Sequence, residues 1–125
     1  MPNRRKSYIL TDTAAGDFRN ARRWSAARWG KKRTRSCFEQ LHDGADYIAS
    51  HQPAIAARDD LLGNTDLGVY PVGEHYLVYV PVNDTQIVIV ALIRQTRDVP
   101  AILKANNFQI RRQLIAALTI LRARR

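Results

Sequence analysis

The sequence predicts an α+β domain in which two helices pack on a small, mostly antiparallel sheet. Three observations predict it. Apolar residues recur at steps of three and four over residues 14–25 and 34–48, the period changes to two between residues 68 and 93, and helical spacing returns after residue 98. The predicted order is therefore β-α-α-β-β-β-α, with an extra C-terminal helix.

The length and composition indicate one folded unit. A chain of 125 residues suits a single domain, and 46% apolar with 25% charged residues is typical of a globular protein. We expect one domain over residues 1–125, with a core over 7–103 and a helical C-terminal extension over 104–125.

The first predicted elements form a helical hairpin. Residues 7–11 are expected to form a short strand, after which Thr11 or Asp12 caps a helix. Gly30 can end that helix in a left-handed conformation. Because the next helix follows at once, the two helices must lie antiparallel.

The second helix has a buried face that includes the single cysteine. Cys37 is therefore expected to be a buried structural thiol, and it has no second cysteine with which to form a disulfide or a zinc site. Phe38 is placed beside this face, and Pro53 is expected to end the helix. The predicted face consists of Thr34, Cys37, Leu41, Ala45 and Ile48.

Three strands and two further helices complete the prediction. Residues 69–72, 76–82 and 87–93 are expected to be strands, and the last is apolar on both faces, so both faces should be covered. The hairpin covers one face, and either the C-terminal segment or a partner chain covers the other. Residues 98–104 are expected to form a short helix, and Asn107 to cap a second one. The apolar stripe of that last helix is Ile110, Leu114, Ala117, Leu118 and Leu121.

The net charge of +9 is unevenly distributed along the chain. All but one of the 20 Lys and Arg residues lie within residues 1–35 and 94–125, whereas most of the 11 acids lie between them. Such asymmetry favours an anionic macromolecular partner. No apolar run is long enough for a signal peptide or a membrane span, which predicts a cytoplasmic protein without a membrane partner.

Several short segments match a known family in order and spacing. They are Tyr8-x-Leu10-Thr11 with Ala14 and Asp17-Phe18, Trp29-Gly30, Pro53 with Arg58-Asp59-Asp60-Leu61, Tyr70-Pro71-Val72-Gly73-x-His75 with Tyr79, and Ile87-Val88-Ile89-Val90 through Asp98. Together they resemble the RelE/ParE toxin superfamily, and specifically its ParE-like branch. The resemblance covers most of the chain.

The resemblance implies the toxin of a type II toxin–antitoxin pair, a class associated with plasmid stabilisation. A cognate antitoxin would hold the toxin inactive by wrapping over it. ParE-like members poison DNA gyrase, whereas RelE-like members cut mRNA in the ribosome. A homodimer or a higher toxin–antitoxin assembly stays open.

The residues favour gyrase inhibition over RNA cleavage. Cleavage requires a group that activates a 2′-hydroxyl and groups that stabilise the phosphate. RelE-like nucleases resemble one another in placing Arg, Lys and often Tyr or His on the sheet, but this chain has Gly68 and Val80 at such positions. Arg94 ends the last strand and is a poor general base. We therefore expect no catalytic residue, no cofactor and no metal. A RelE-like ribosome-dependent mRNA endoribonuclease and a non-toxic nucleic-acid or protein-binding module remain the alternatives.

Two sets of residues are candidates for partner contacts. His42 and His51 are excluded from them, because they are expected to be solvated helix residues. The target-contact candidates are Arg58, His75, Arg94 and Arg97. The antitoxin-contact candidates are Trp24, Trp29, Leu114 and Leu118.

Overall fold

The computed structural model describes residues 8–51 and 67–123, and within these ranges the chain has four strands and four helices. Their order confirms the predicted α+β fold. Pro53 and Arg58 lie outside the described residues. The elements are β1 (Tyr8–Leu10), α1 (Asp12–Trp29), α2 (Lys31–His51), β2 (Gly68–Val72), β3 (His75–Asn83), β4 (Gln86–Arg94), α3 (Val99–Ala105) and α4 (Asn107–Ala123).

The four strands form one mixed sheet in the order β1-β4-β3-β2. β1 is parallel to β4, and the other two pairings are antiparallel. β2 is an edge strand, which suits Pro71, because proline has no backbone N–H to donate to a neighbouring strand. β1 is short and pairs only with Ile87, Val88 and Ile89, so β4 runs past it. This overhang positions the site described below.

The hairpin begins and turns where the sequence predicts. The Thr11 hydroxyl accepts a hydrogen bond from Ala14 N at 3.2 Å and so caps α1. Gly30 has a φ of 86°, which favours glycine, and its amide donates to the Ala26 carbonyl. Its own carbonyl accepts from the Thr34 hydroxyl at 2.8 Å, which joins the end of α1 to the first turn of α2.

The buried face of α2 differs from the prediction at one position. Phe38 is only 3% exposed, whereas Cys37 is half-buried, so the prediction of a buried Cys37 was wrong. Both positions are compatible with the helical spacing, since Cys37 lies four residues before Leu41 and Phe38 lies three before it. The larger ring fills the space against α1, where it meets Phe18 edge-on at 6.0 Å.

Two hydrophobic cores lie on opposite faces of the sheet. The first packs α1 and α2 against Leu77, Ile87 and Ile89. The second packs α3 and α4 against the other side of the strands, including Val78 and Val88. The C-terminal segment therefore covers the second face, so this face needs no partner chain. None of the helices in the described ranges is long and apolar enough to cross a membrane.

Candidate functional site

A pocket of about 520 Å³ lies where α1, the end of β4, α3 and the start of α4 meet. Its walls combine polar groups with a larger apolar surface. The polar side chains that line it include Asp17, Asn20, His75, Arg94, Arg97 and Asn106. The apolar side chains include Trp24, Ala91, Ile93, Ile102, Leu103 and Ile110.

The pocket exists because β4 extends beyond its neighbour β1. Past Ile89 the outer edge of β4 faces α1, and Leu92 N donates to the Asp17 carboxylate at 3.0 Å. Burial raises the pKa of Asp17, and this hydrogen bond opposes the increase. A side chain of α1 thus takes the place of a missing strand.

Arg94 ends β4 directly opposite His75 of β3. The turn beside this pair is fixed by Gln95, whose side-chain nitrogen Nε2 donates to the backbone carbonyls of Gly73 and His75 at 3.1 and 3.0 Å. The backbone that presents both side chains is therefore well defined.

The guanidinium of Arg94 lies over the ring of Trp24 in the pocket wall. Its Cζ atom lies 4.1 Å from the centroid of the Trp24 ring, which is cation–π geometry. Its buried Nε has no hydrogen-bond partner among the described residues. Buried polar atoms are normally paired, so this donor can receive an external acceptor.

His75 is 4% exposed, and its Nδ1 atom also lacks a partner among the described residues. Burial lowers the pKa of His75, and the positive charge of Arg94 lowers it further, while Glu74 raises it. The imidazole is therefore neutral at pH 7. A neutral, enclosed ring is suited to positioning Arg94 rather than to exchanging protons with a large substrate.

The structure brings three of the four target-contact candidates together. His75, Arg94 and Arg97 all line the pocket, and the fourth candidate, Arg58, lies outside the described residues. Asp17, Asn20 and Asn106 were not predicted. Asp17 carried a detectable signal, since a carboxylate three residues after Ala14 falls on the apolar face of α1.

The four antitoxin-contact candidates fall in two separate places. Trp24 lies in the pocket wall, and Trp29 meets it edge-on with ring centroids 5.0 Å apart. Leu114 and Leu118 instead pack against the second core, so part of each side chain is already occupied.

Exposed cations are concentrated on α1 and the start of α2, and two of them stack on the tryptophans. Arg28 and Arg33 lie over the rings of Trp24 and Trp29, at 5.3 and 4.6 Å. We call this region of α1 and the start of α2 the basic hairpin surface. Its exposed members are Arg19, Arg22, Arg23, Arg28, Lys31, Lys32, Arg33 and Arg35.

The other two histidines are exposed on α2, as predicted, and each is engaged locally. His42 Nδ1 is hydrogen-bonded to the Tyr8 hydroxyl. His51 stacks on Tyr47 with ring centroids 4.2 Å apart. Within the described ranges, no group of three or more His, Cys, Asp or Glu residues is arranged to hold a metal ion.

Position 68 has no room for a basic side chain, because the ring of Tyr79 lies against Gly68. A Cβ atom there would lie 2.4 Å from the ring of Tyr79, the residue opposite it on β3. Because Tyr79 is buried, its ring cannot easily move away. The aromatic side chain occupies the space that an arginine would need.

The family now follows from comparison with known proteins. Residues 8–99 match the model of the ParE toxin of the type II toxin–antitoxin system parDE. The chain belongs to the ParE toxin family. This confirms the resemblance read from its short motifs.

The ParE fold is also seen in a solved structure. A chain of the chromosomal ParDE TA system from P. aeruginosa superposes with a TM-score of 0.58 at 13% identity, covering 70% of this chain and 94% of that one. At this identity the similarity concerns the fold. Comparison with curated proteins gives no match.

The ParE family match ends at Val99, before the last wall of the pocket. Ile102, Leu103, Asn106 and Ile110 all lie beyond it. This part of the pocket therefore comes from the segment that follows the matched region.

Proposed function

We propose that this chain is a ParE-type toxin that inhibits DNA gyrase by binding to it in the cytoplasm and is neutralised by a cognate antitoxin. Family membership supports the toxin role. The choice of gyrase is carried by one observation: the chain presents many exposed cations, whereas His75, the histidine opposite Arg94, is enclosed and cannot reach a large substrate as a general base.

The accessibility of the candidate groups is the physical reason. A general base must reach the proton that it removes. His75 is enclosed and its pKa is lowered, and an arginine such as Arg94 is a poor general base. By contrast, the eight cations of the basic hairpin surface are exposed and suited to a large anionic partner such as the gyrase–DNA complex.

The antitoxin is proposed to anchor on the paired tryptophans. Trp24 and Trp29 form a rigid edge-to-face unit, and aromatic side chains of this kind often dominate the energy of protein interfaces. The arginines stacked on them would meet acidic residues of the antitoxin. An antitoxin bound there would lie beside the pocket and would cover part of the basic hairpin surface.

The test compares two activities in parallel. Purified full-length chain is added to gyrase with relaxed plasmid, and separately to ribosomes that are translating a defined mRNA. We expect loss of supercoiling and intact mRNA. Cleaved mRNA with normal supercoiling would overturn the gyrase assignment, and no effect in either assay would favour a non-toxic binding module.

Salt provides a second criterion for the proposed contact surface. If the basic hairpin surface makes the contact, inhibition should weaken steeply as the salt concentration rises, because condensed counterions must be displaced from the partner. A variant with Arg19→Gln and Arg23→Gln should inhibit less and show a shallower salt dependence. Lys104→Gln with Arg111→Gln, which removes two exposed cations from α3 and α4, serves as the matched control. Inhibition that does not respond to salt would indicate an apolar contact instead.

A further inference from the structure

The pocket has a shape that binding to a large protein or to DNA does not require. The basic hairpin surface is formed by exposed side chains, whereas the pocket is a concave space of about 520 Å³. That volume is within the range of small-molecule sites. A mostly apolar lining with a few polar groups is also typical of such sites.

Two cationic side chains fix the sign of the ligand. Arg94 and Arg97 both line the pocket, and Arg94 is already oriented by the ring of Trp24. The buried Nε of Arg94 and Nδ1 of His75 have no partners among the described residues. An arginine with a free donor, held in place before binding, matches an anionic acceptor with planar geometry.

The remaining wall groups distinguish a carboxylate from a phosphate. Asp17 lines the same pocket, where its carboxyl oxygen already accepts a hydrogen bond from Leu92 N. An acceptor oxygen beside the two arginines disfavours the additional acceptor oxygens of a phosphate ester, so the lining suits the smaller carboxylate group. The apolar side chains Ile93, Ile102 and Ile110 require in addition that the ligand carry an apolar body.

We infer that this pocket binds a small carboxylic acid, whose carboxylate pairs with Arg94 and Arg97 and whose apolar body lies between Trp24 and the C-terminal helices. The site goes beyond the proposed gyrase contact, because part of its wall lies after the family match. The ligand would be held at the junction of the hairpin and the C-terminal segment.

Binding is tested by titrating the purified full-length chain with benzoate and hexanoate and recording tryptophan fluorescence and heat. Benzamide and hexanamide control for the charge, acetate for the apolar body, and phenyl phosphate for the additional acceptor oxygens. We expect benzoate or hexanoate to bind at least about tenfold more tightly than each control, because a charge-assisted hydrogen bond and an apolar contact are both lost in the amides or acetate.

Two variants locate the site. Arg94→Gln should weaken benzoate or hexanoate binding about tenfold or more. Arg33→Gln is the matched control, since Arg33 also stacks on a tryptophan but does not line the pocket, and it should bind like the unaltered chain. Ala21→Phe fills the pocket without removing a charge and should abolish binding while the chain stays folded by circular dichroism.

Several outcomes would overturn the inference. These are equal affinity for the amides, tighter binding of phenyl phosphate, an unchanged affinity in Arg94→Gln, or no binding of either acid up to about 10 mM, which corresponds to very weak affinity. Binding only to acidic peptides, and not to the free acids, would show that the pocket is part of a protein interface. None of these results depends on the gyrase assay, so the two proposals fail separately.

Discussion

Two glycines lie in helix interiors, and an added side chain would meet different surroundings at each of them. Gly16 lies in α1 and Gly44 in α2. A Cβ atom at Gly16 would meet only Arg19 Nη2, at an ordinary 3.7 Å, whereas one at Gly44 would lie 2.6 Å from Val72 Cγ2. Val72 is β-branched and cannot easily turn aside.

Alanine substitution should therefore separate helix propensity from packing. We expect Gly16→Ala to stabilise the chain by about 0.5–1 kcal/mol, because alanine favours helix. Gly44→Ala should destabilise it by about 1–3 kcal/mol, because the added methyl group overpacks the contact with β2. Urea unfolding followed by circular dichroism measures both changes. A gain in stability for both variants would show that β2 can move away from α2.

The enclosed imidazole of His75 gives the molecule a specific response to pH. Burial and the charge of Arg94 lower its pKa in the folded chain, with Glu74 opposing them, while the unfolded chain keeps the ordinary value of 6.5. Below 6.5 the unfolded chain binds the proton more readily, so the free energy of unfolding falls as the pH falls through this value towards the folded pKa.

We expect the free energy of unfolding to decrease on acidification from about pH 7.5 to 5, by no more than about 1.4 kcal/mol per pH unit from this group. His75→Gln removes the titrating ring, so its stability should decrease less over the same range. Asp17 has a raised pKa and the opposite sign, but it is present in both chains and cancels. Parallel pH curves for the two chains would mean that His75 titrates normally.

At the scale of elements, the start of α1 is linked to the sheet through one side chain. The sequence left Thr11 and Asp12 as alternative caps, and the structure selects Thr11, which is 4% exposed. Its hydroxyl accepts from Ala14 N and donates to the Val90 carbonyl at 3.4 Å. The cap therefore fixes where α1 begins relative to β4.

Removal of this hydroxyl should cost more than removal of an exposed cap. We expect Thr11→Ala to lower the free energy of unfolding by about 1–2 kcal/mol, because a buried donor and acceptor both lose a partner. Thr11→Ser, which keeps the hydroxyl, should cost less than half as much. Asp98→Ala is the matched control, since Asp98 caps α3 from an exposed position. Equal losses from thermal unfolding in Thr11→Ala and Asp98→Ala would contradict the role of the Val90 contact.

The elements were predictable because each depends on neighbours in the sequence. The turn at Gly30, the edge position of Pro71 and the apolar run of β4 all have local signals. The pocket was not predictable in the same way. The contacts of Arg94 with Trp24, and of Leu92 with Asp17, join residues 70 or more positions apart, and no spacing rule specifies such pairs. The sequence could therefore nominate Arg94 and His75 for a common surface without indicating that Trp24 and Asp17 complete the cavity around them.

At the scale of the whole molecule, the C-terminal helix determines whether the sheet is covered on both sides. Ile110 and Ala117 are buried, and Leu114, Leu118 and Leu121 pack against the same core. Gln113 also accepts a hydrogen bond from Thr13 N at 2.8 Å, which ties α4 to α1. The opposite side of α4 exposes Phe108 and Ile115, at 75% and 65%.

Deletion of residues 107–125 should therefore destabilise the entire fold. It uncovers Val78, Val88 and Val90, which are fully buried, and each large apolar side chain returned to water costs about 1.5–3 kcal/mol. We expect the unfolding temperature to fall by at least about 10 °C. Substitutions within α4 distinguish packing from length: Ile110→Ala should cost about 2–5 kcal/mol, whereas Phe108→Ser should leave stability nearly unchanged. A shortened chain that keeps its solubility and its unfolding temperature would show that α4 does not hold the second core together.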